Sequence, residues 1–366
     1  MNELVFNHSA DNETMKNTAS IQKLFQQTLP DDSFIPHKEE FSSDFGNVFS
    51  LPPPLVIATR SEQELQATLQ IARDNKLPIT IRGAGHSLFG QTLTETGVLV
   101  VNHAKGHLDF EWVDELYINV SGRSSWSDLT KALKVQNAAP CVLTDYLDLT
   151  VGGTLSVGGY GLRSITNGAQ IDNVKALRVI KPDGEAIWCD ENENSSLFQF
   201  ALAGLGQIGV IERVVLRTVK NSRRVYTVNL PFSDGLSMAQ SLANHRSGSG
   251  SLPNFLSGYN LGDGFFLEYG FEAETENEAR MMAAATIENI NLNGVAFYLS
   301  EDYEQQIHTK RQGWLNEFAH HHRLWCDYFF QYDQYLEFIK FINLPKVKPM
   351  VESFLGASYT LLTKRR

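Results

Sequence analysis

Cysteine, long apolar runs and positive charge are all scarce in this sequence of 366 residues. The three cysteines, Cys141, Cys189 and Cys326, are odd in number, lie far apart and form no CxxC pair. Such a pattern argues against a disulfide framework and against a structural zinc site, and it fits a reducing compartment. No stretch approaches the ~18 apolar residues of a membrane span, and the polar first residues do not have the pattern of a signal peptide. We therefore expect a cytoplasmic protein with no membrane partner.

The charge balance is acidic, with 31 Lys and Arg residues against 42 Asp and Glu residues and a net charge of -11. A nucleic acid would meet net repulsion, and no basic patch compensates for it. Hydrophobic residues make up 42% of the chain and charged residues 20%, which excludes a disordered or collagen-like protein. The composition predicts a compact globular protein that binds no nucleic acid.

Local patterns divide the chain into a lead-in (residues 1–40), a first domain (41–220) and a second domain (221–366). In the first domain, strand patterns at Leu55 to Ala58 and Pro78 to Arg82 flank a helix capped at Ser61, which predicts a β-α-β unit. After residue 220, long helix patterns separate strand patterns, which predicts an α+β class for the second domain. The helix patterns cover Asp234 to Asn244, Glu274 to Asn291 and Tyr303 to His320, and the strand patterns cover Arg224 to Leu230, Asn254 to Leu261, Gly264 to Glu272 and Val295 to Leu299.

The segment from Gly204 to Gly209 fits GxGxxG, the fingerprint of dinucleotide-binding βαβ folds. That fingerprint needs a strand before it and a helix after it, so that the helix N-terminus faces the pyrophosphate. Here a helix pattern comes before the glycines and a strand pattern, Val210 to Thr218, comes after them. We therefore interpret this segment as a tightly packed turn.

Two other glycine-rich segments are better candidates for a cofactor site. In Arg82 to Ser87, two glycines flank a small residue, and such a loop can present consecutive backbone N–H groups to an anion such as pyrophosphate. A glycine turn whose histidine satisfies local backbone groups is the alternative. Val151 to Ser156 and Gly158 to Gly161 supply a second region where backbone can approach a bulky ligand. Two such loops in one domain favour an extended dinucleotide.

The sequence resembles the flavoprotein oxidases and dehydrogenases of the vanillyl-alcohol oxidase type, and within them the cytokinin dehydrogenases. The resemblance implies an α+β fold: an FAD-binding domain of two subdomains, then a substrate domain with an antiparallel sheet and helices. Relative to that family, the second domain ends early, at Arg366. The segments that carry the resemblance are Ser42 to Asn47, Arg82 to Gln91 (RGAGHSLFGQ), Thr144 to Ser156 (TDYLDLTVGGTLS), Gly168 to Val174 and Gly204 to Ile211.

The resemblance implies FAD as cofactor, joined covalently through a ring nitrogen of His86 to the flavin 8α-methyl group. Some relatives add a cysteine link just before the second glycine loop, but Asp145 to Thr150 holds no cysteine, so a single attachment is expected. By the same resemblance, the other cofactor-binding residues are Ile81, Gly83, Ala84, Gly85, Ser87, Gln91, Asp145, Thr150, Ser156, Tyr160 and Val210.

The resemblance also names two catalytic candidates, Asp145 and Glu268. The aspartate of the TDY motif accepts a proton from the substrate amine while a hydride leaves the adjacent carbon for flavin N5, and the resulting imine is hydrolysed. Such a base needs a proton affinity raised by partial burial, and the alternative is an aspartate that caps the following turn. Glu268 lies where the family has a glutamate that meets the adenine ring, and the alternative is a solvent-facing strand residue.

Three features depart from the family or invite another interpretation. Leu143 replaces a tryptophan before TDY, and the HPW element expected after Trp325 is absent, which puts cytokinin specificity in doubt. The run His320 to His322 suggests a metal, but neighbouring residues point in different directions, so we expect a solvated helix end and no metal.

Several functions therefore remain open on the sequence alone. The substrate is an N6-substituted adenine or, for a sugar, alditol or aldonolactone oxidase on the same fold, a polyol. The electron acceptor is oxygen or a quinone. The short second domain also allows a flavin-binding protein without turnover.

Overall fold

Three β-sheets with their helices make up the described part of the chain. In this computed structural model it comprises residues 18–104, 106–222, 224–245, 251–261, 264–287, 291–323, 331–342, 344–347 and 358–359. Two sheets lie before residue 221 and the third lies after it. The mixture of helices and antiparallel sheets agrees with the predicted α+β class.

The first sheet is parallel and consists of β1 (Leu55–Ala58), β2 (Ile79–Arg82) and β3 (Val98–Val101). Helix α2 (Glu62–Asp74) joins β1 to β2, and its N-cap Ser61 accepts a hydrogen bond from the Glu64 N–H at 3.1 Å, as the capping pattern predicts. The predicted β-α-β unit is modified, because the buried, wholly apolar β3 lies between β1 and β2. The first glycine-rich segment thus leaves the sheet from an edge strand. A helix over residues 18–26 (α1) also packs here, through the buried Phe25.

The second sheet is antiparallel, in the order β4-β5-β9-β7-β8, with β6 also paired to β9. Trp126 is fully buried in its core and donates from Nε1 to Thr154 Oγ1 at 2.8 Å, which joins α3 to α4. The strands are β4 (Phe110–Trp112), β5 (Tyr117–Ser121), β6 (Ala138–Pro140), β7 (Val174–Ile180), β8 (Ala186–Asp190) and β9 (Val210–Lys220), and the helices are α3 (Trp126–Val135), α4 (Val151–Leu155), α5 (Ser164–Asn167) and α6 (Ser195–Ala201).

The GxGxxG segment lies between α6 and β9, which confirms the interpretation as a turn. A side chain at Gly204 would meet the Phe200 carbonyl oxygen at 1.9 Å, so only glycine fits. Ala203 and Leu205 donate backbone hydrogen bonds to the carbonyl oxygens of Leu155 and Ser156 at 2.9 and 2.8 Å. The turn is therefore hydrogen-bonded to Leu155 and Ser156 of the second glycine loop.

The third sheet is antiparallel, in the order β13-β10-β12-β11-β14. The predicted helix from Glu274 begins after the N-cap Thr275 and ends at Thr286, and the last predicted strand is shifted to Tyr298–Ser300. Within the described ranges, no helix is long and apolar enough to cross a membrane. The strands are β10 (Val225–Phe232), β11 (Phe255–Leu261), β12 (Gly264–Glu272), β13 (Tyr298–Ser300) and β14 (Ser358–Tyr359), and the helices are α7 (Gly235–Asn244), α8 (Glu276–Thr286), α9 (Tyr303–Glu317) and α10 (Tyr332–Ile342).

A buried ion cluster fixes the start of α9 against the second sheet. The Arg163 side chain is 4% exposed, and its Nη2 lies 2.7 Å from Glu272 Oε1 and 2.8 Å from Glu304 Oε1. Lys134 of α3 lies 3.5 Å from Glu304 Oε2 and contacts Asp302, the N-cap of α9. Arg163 and Lys134, which both precede residue 221, thus hold Glu304 and the N-cap Asp302 at the start of α9.

Replacing Arg163 with Met is expected to lower the free energy of unfolding by about 3–5 kcal/mol, because the buried Glu304 would lose its near cation and keep only Lys134 at 3.5 Å. Urea unfolding of the two proteins measures the difference. The control is Lys340→Met, which breaks an exposed pair with Glu337 and should cost no more than about 1 kcal/mol. Equal costs for the two variants would contradict the role given to the cluster.

Candidate active site

The first glycine loop (residues 83–88) follows β2 and is held by the segment that contains Asp44. Asp44 is buried, and its Oδ2 accepts a hydrogen bond from the Gly90 N–H at 3.2 Å while its Oδ1 accepts one from the Val48 N–H at 2.9 Å. The Phe45 N–H donates to the Ser87 carbonyl oxygen at 3.1 Å. The predicted match at residues 42–47 is therefore the brace of this loop.

The loop has the form of an anion cradle. Within the described ranges, no hydrogen bond to protein occupies the backbone N–H groups of residues 84–88. Gly85 has φ +79°, and a Cβ there would lie 2.6 Å from Arg82 Nη2, so the buried guanidinium packs directly behind the loop. N–H groups backed by a positive charge fit the pyrophosphate of a dinucleotide. The chain thus has residues that suit FAD at the predicted position.

The second glycine loop meets the first through Thr150. Thr150 Oγ1 accepts a hydrogen bond from the Gly153 N–H at 3.2 Å, which caps α4, and a Cβ at Gly83 would lie 2.5 Å from this oxygen. The Gly152 N–H donates to the Gly122 carbonyl oxygen at 2.8 Å, and Gly122 packs on the Ile211 carbonyl group next to Val210. The structure therefore brings Thr150 into contact with the first loop, and it links Val210 to the second loop through Ile211 and Gly122.

The other predicted cofactor residues lie around these loops. Ile81 is on β2, and Ser156 donates from Oγ to the Gly152 carbonyl oxygen at 2.8 Å. Tyr160 is on the surface beside Gly158. Gln91 is exposed, and its Oε1 accepts a hydrogen bond from the Phe89 N–H at 3.0 Å, so it braces the exit of the first loop. Their contacts with FAD remain predictions.

His86 lies between two aromatic rings. Its ring centroid is 4.0 Å from that of Phe45 and 4.6 Å from that of Tyr146. Burial lowers the pKa of His86 to about 4, and the charges of Arg323 and Arg82 act in the same direction. The imidazole is therefore neutral at pH 7, the form in which a ring nitrogen can act as a nucleophile.

Asp145 is held by an arginine of the second domain. Arg311 Nε donates to Asp145 Oδ2 at 2.7 Å, and its Nη2 donates to the same oxygen. The Asp145 side chain is 38% exposed, so the predicted partial burial is present, and its described hydrogen bonds go to Arg311 and not to the following turn. An ion pair that the sequence did not predict thus orients Oδ2, and the described hydrogen bonds do not involve Oδ1.

Helix α9 contacts the rest of this loop (residues 145–148) through His308. The Leu147 N–H donates to His308 Nδ1 at 3.1 Å, and His308 Nε2 lies 3.7 Å from Asp148 Oδ2. His308 and Arg311 are three residues apart on the helix, and Asp145 and Asp148 are three apart on the loop, so each basic group meets one acid. This match of spacings agrees with the contact, but it does not by itself identify α9 as the helix that packs on the loop.

Glu268 is on β12, the strand that the sequence predicts for it, and contacts a different part of α9. Its Oε1 accepts a hydrogen bond from the Tyr303 hydroxyl at 2.5 Å, at the first residue of the helix. Tyr303 and Arg311 are separated by about 12 Å along the helix axis at 1.5 Å per residue. The structure therefore attaches Glu268 and Asp145 to the same helix but does not bring them together.

Leu143 is not at the surface of the site. Its backbone exchanges two hydrogen bonds with Leu162, and its side chain is fully buried in the core of the second sheet. The pairing with Leu162 therefore turns the Leu143 side chain into the core, two residues before Asp145. Trp325 and the three residues after it lie outside the described ranges.

The histidine run follows the end of α9 at Glu317 and is exposed. It is not simply solvated, since Asn47 Nδ2 donates to the His321 carbonyl oxygen at 3.3 Å and His322 Nδ1 contacts the Asn47 carbonyl oxygen. Next to the run, Arg323 N–H donates to the Gly46 carbonyl oxygen at 2.7 Å. The Arg323 guanidinium lies 4.2 Å from the centroid of the Phe45 ring. The described residues contain no group of three His, Cys, Asp or Glu side chains that could hold a metal ion. This segment therefore packs on the brace of the first glycine loop.

Residues 53–190 match the family described as FAD binding domain. The chain is 35% identical over 204 residues to an uncharacterized oxidoreductase of the fasciation locus of Rhodococcoides fascians, which covers 54% of this chain and 45% of that protein. It is 36% identical over 203 residues to cytokinin dehydrogenase 10 of Oryza sativa subsp. japonica, which covers 53% of this chain and 37% of that protein. The chain thus spans less than half the length of these curated relatives.

Solved structures share the fold at low sequence identity. A chitooligosaccharide oxidase has a TM-score of 0.66 and 14% identity, covering 79% of this chain and 63% of that one. Glucooligosaccharide oxidase of Acremonium strictum has a TM-score of 0.64 and 17% identity, covering 80% of this chain and 63% of that one. Together with the glycine loops, these likenesses identify the chain as an FAD-binding protein with the vanillyl-alcohol oxidase type of fold, similar in sequence to the cytokinin dehydrogenases.

Proposed function

We propose that this chain is an FAD-dependent oxidoreductase that takes a hydride from a carbon next to an amine, giving an imine that is then hydrolysed. The observation that carries the proposal is the juxtaposition of a neutral, partly buried His86 in an anion cradle with an oriented carboxylate, Asp145, in the adjoining loop. FAD, when bound, supplies the hydride acceptor.

The first glycine loop and Arg82 would hold the pyrophosphate, and a ring nitrogen of His86 would form the covalent link to the 8α carbon. Thr150, at the contact between the two loops, keeps the second loop close to the first. These contacts use backbone N–H groups and a neutral imidazole that the described residues leave available to a ligand.

Asp145 is the proposed base. Arg311 holds Oδ2, so Oδ1 is the oxygen that can accept the proton of the substrate amine. A fixed carboxylate saves the cost of orienting the base in each turnover. Glu268, oriented by Tyr303, is proposed to contact the adenine ring of the substrate.

The cytokinin dehydrogenase relatives favour an N6-substituted adenine as substrate, with oxygen or a quinone as electron acceptor. The oligosaccharide oxidases among the structural neighbours favour a second candidate, oxidation of a hydroxyl-bearing carbon in a polyol. The two candidates share the cofactor site and differ in the substrate.

An anaerobic titration of the purified holoprotein separates these functions. We expect an isoprenoid adenine to bleach the visible flavin absorbance while a sugar alcohol leaves it unchanged. Bleaching by the sugar alcohol alone would favour the second candidate. A protein that binds FAD tightly but is reduced by neither donor would be a flavin-binding protein without turnover.

A further inference from the structure

The third sheet has one apolar face and one polar, aromatic face. Its apolar face packs on two helices, where Val228 is buried together with Met238 of α7 and Ala279 of α8. Side chains alternate between the two faces of a strand, so neighbouring positions point the other way. Arg163, which precedes residue 221, contacts this second face at Glu272. The face, called the open face below, carries the partly buried side chains of Asn229, Ser257, Tyr259, Phe266 and Glu268.

Two polar residues of the open face are direct cross-strand neighbours. Asn229 of β10 lies opposite Glu268 of β12 in the antiparallel register. Residues paired in this way have Cβ atoms about 4.5–5.5 Å apart. An amide and a carboxylate therefore lie side by side, close enough to contact neighbouring atoms of one ligand.

A tyrosine holds each member of this pair. The Tyr259 hydroxyl donates to Asn229 Oδ1 at 2.8 Å, and the Tyr303 hydroxyl donates to Glu268 Oε1 at 2.5 Å. Within the part of the chain that the structure describes, Asn229 Nδ2 and Glu268 Oε2 make no hydrogen bond to protein. An amide nitrogen only donates and a carboxylate oxygen only accepts, so the pair presents a fixed donor beside a fixed acceptor.

The protonation of the two tyrosines keeps this polarity fixed. Burial raises the pKa of Tyr259 to about 12, and the charge of Glu268 acts in the same direction. Burial also raises the pKa of Tyr303, again with the charge of Glu268 in support. Both hydroxyls therefore keep their protons at neutral pH and remain donors to the pair.

The pair and the proposed base are attached to one helix at separate points. Tyr303 begins α9, and Arg311, the partner of Asp145, follows about 12 Å further along the helix axis at 1.5 Å per residue. A substrate that meets both carboxylates must therefore be elongated, with its amine at Asp145 and its other end at the pair. In an N6-substituted adenine, the ring edge away from the amine carries N3, an acceptor, beside the N9–H donor. This edge is complementary to the pair.

We propose that Asn229 and Glu268 together recognise this edge, with Nδ2 donating to N3 and Oε2 accepting from N9–H, so that Asn229 is a specificity-determining residue. The Tyr259 and Phe266 rings, stacked with centroids 5.7 Å apart, give the site an aromatic surface beside the pair. A fixed donor and a fixed acceptor favour a nucleobase over a polyol, because each hydroxyl of a polyol both donates and accepts. This inference rests on the proposed oxidation of an N6-substituted adenine.

The test compares an isoprenoid adenine with its 9-methyl and 3-deaza derivatives in anaerobic reduction of the flavin of the holoprotein. The 9-methyl compound lacks the N9–H donor, and the 3-deaza compound lacks the N3 acceptor. For half-maximal reduction, we expect wild type to need about 10²-fold more of the 9-methyl compound and about tenfold more of the 3-deaza compound. The limiting rate should change little, because the altered atoms lie away from the reacting carbon.

Two variants and a control examine the donor. Asn229→Leu should need about tenfold more isoprenoid adenine and should no longer distinguish it from the 3-deaza compound, while the unchanged Glu268 still disfavours the 9-methyl compound. Tyr259→Phe keeps the amide but lets it turn, so the preference over the 3-deaza compound should weaken without vanishing. Asn293→Leu removes an exposed amide before β13 and should behave as wild type.

The outcomes separate this inference from the function on which it rests. Equal use of the three compounds by wild type would overturn it, as would an Asn229→Leu protein that keeps the wild-type preference over the 3-deaza compound. A change confined to the limiting rate would also overturn it, by placing Asn229 in the chemical step. If Asn229→Leu does not retain FAD, an unchanged preference in Tyr259→Phe overturns the inference and a weakened one supports it. Absence of flavin reduction in wild type by the isoprenoid adenine would instead overturn the proposed function.

Discussion

Replacing Asp145 with Asn is expected to slow flavin reduction at saturating isoprenoid adenine by about 10²-fold or more, the contribution of a positioned general base. The amide has nearly the shape of the carboxylate and keeps one oxygen for Arg311, so the loop should keep its position. It cannot accept a proton, so only the chemical step should be affected. Anaerobic stopped-flow absorbance measures this rate directly.

The matched control for this variant is Asp109→Asn. Asp109 is also paired with an arginine, Arg213 at 2.6 Å, but it lies on the surface of the second sheet. This control should bind FAD and be reduced as wild type is. An Asp145→Asn protein reduced within about threefold of the wild-type rate would remove Asp145 from the role of base, since that factor is below about 1 kcal/mol.

Local structure in the first domain could largely be predicted from the sequence, because each element is set by short-range patterns. Ser61 and Ser125 accept hydrogen bonds from the third helical N–H of α2 and α3, as their capping patterns imply. The hairpin of β7 and β8 follows its Pro-Asp-Gly turn, and Gly204 to Gly209 is a turn because a helix precedes it. These features depend on neighbours within a few residues.

The order of strands in the first sheet could not be predicted in the same way. The β-α-β pattern fixes that β1 and β2 are parallel but not whether they are adjacent. The continuous apolar run of β3, Val98–Val101, is buried on both faces, which is typical of a central strand in a parallel sheet. The apolar sequence of β3 was therefore the feature that indicated its position between β1 and β2.

The candidate site likewise contains some residues whose positions follow from local motifs and others whose positions depend on long-range packing. The glycine loops carry their function in the backbone, so the positions of His86 and Thr150 follow from motifs alone. The partners of the loop 145–148 come from α9, more than 150 residues further along the chain, and no local pattern reports which helix packs on the loop. Arg311 and His308 therefore emerge only when the two segments are placed in contact.

Replacing His86 with Ala is expected to abolish covalent attachment of FAD. After acid precipitation, wild-type protein should keep its yellow flavin with the polypeptide, while the variant should release it to the supernatant. Attachment would join the imidazole nitrogen of His86 to the 8α carbon, with loss of one proton from each and transfer of two electrons to an acceptor, oxygen or a quinone. The neutral state of His86, whose pKa is lowered to about 4, supplies the nucleophile, and alanine has none.

The FAD itself should still bind to the His86→Ala protein before precipitation, because Arg82 and the N–H groups of residues 84–88 remain. His107→Ala, at an exposed histidine in the same domain, is the control and should keep covalent flavin. Cys141 is buried, with Sγ 3.4 Å from the Arg217 carbonyl oxygen, so a second link is not expected. Peptide mapping of wild type should therefore find flavin on the His86 peptide alone, and free FAD in the wild-type supernatant would exclude the covalent link.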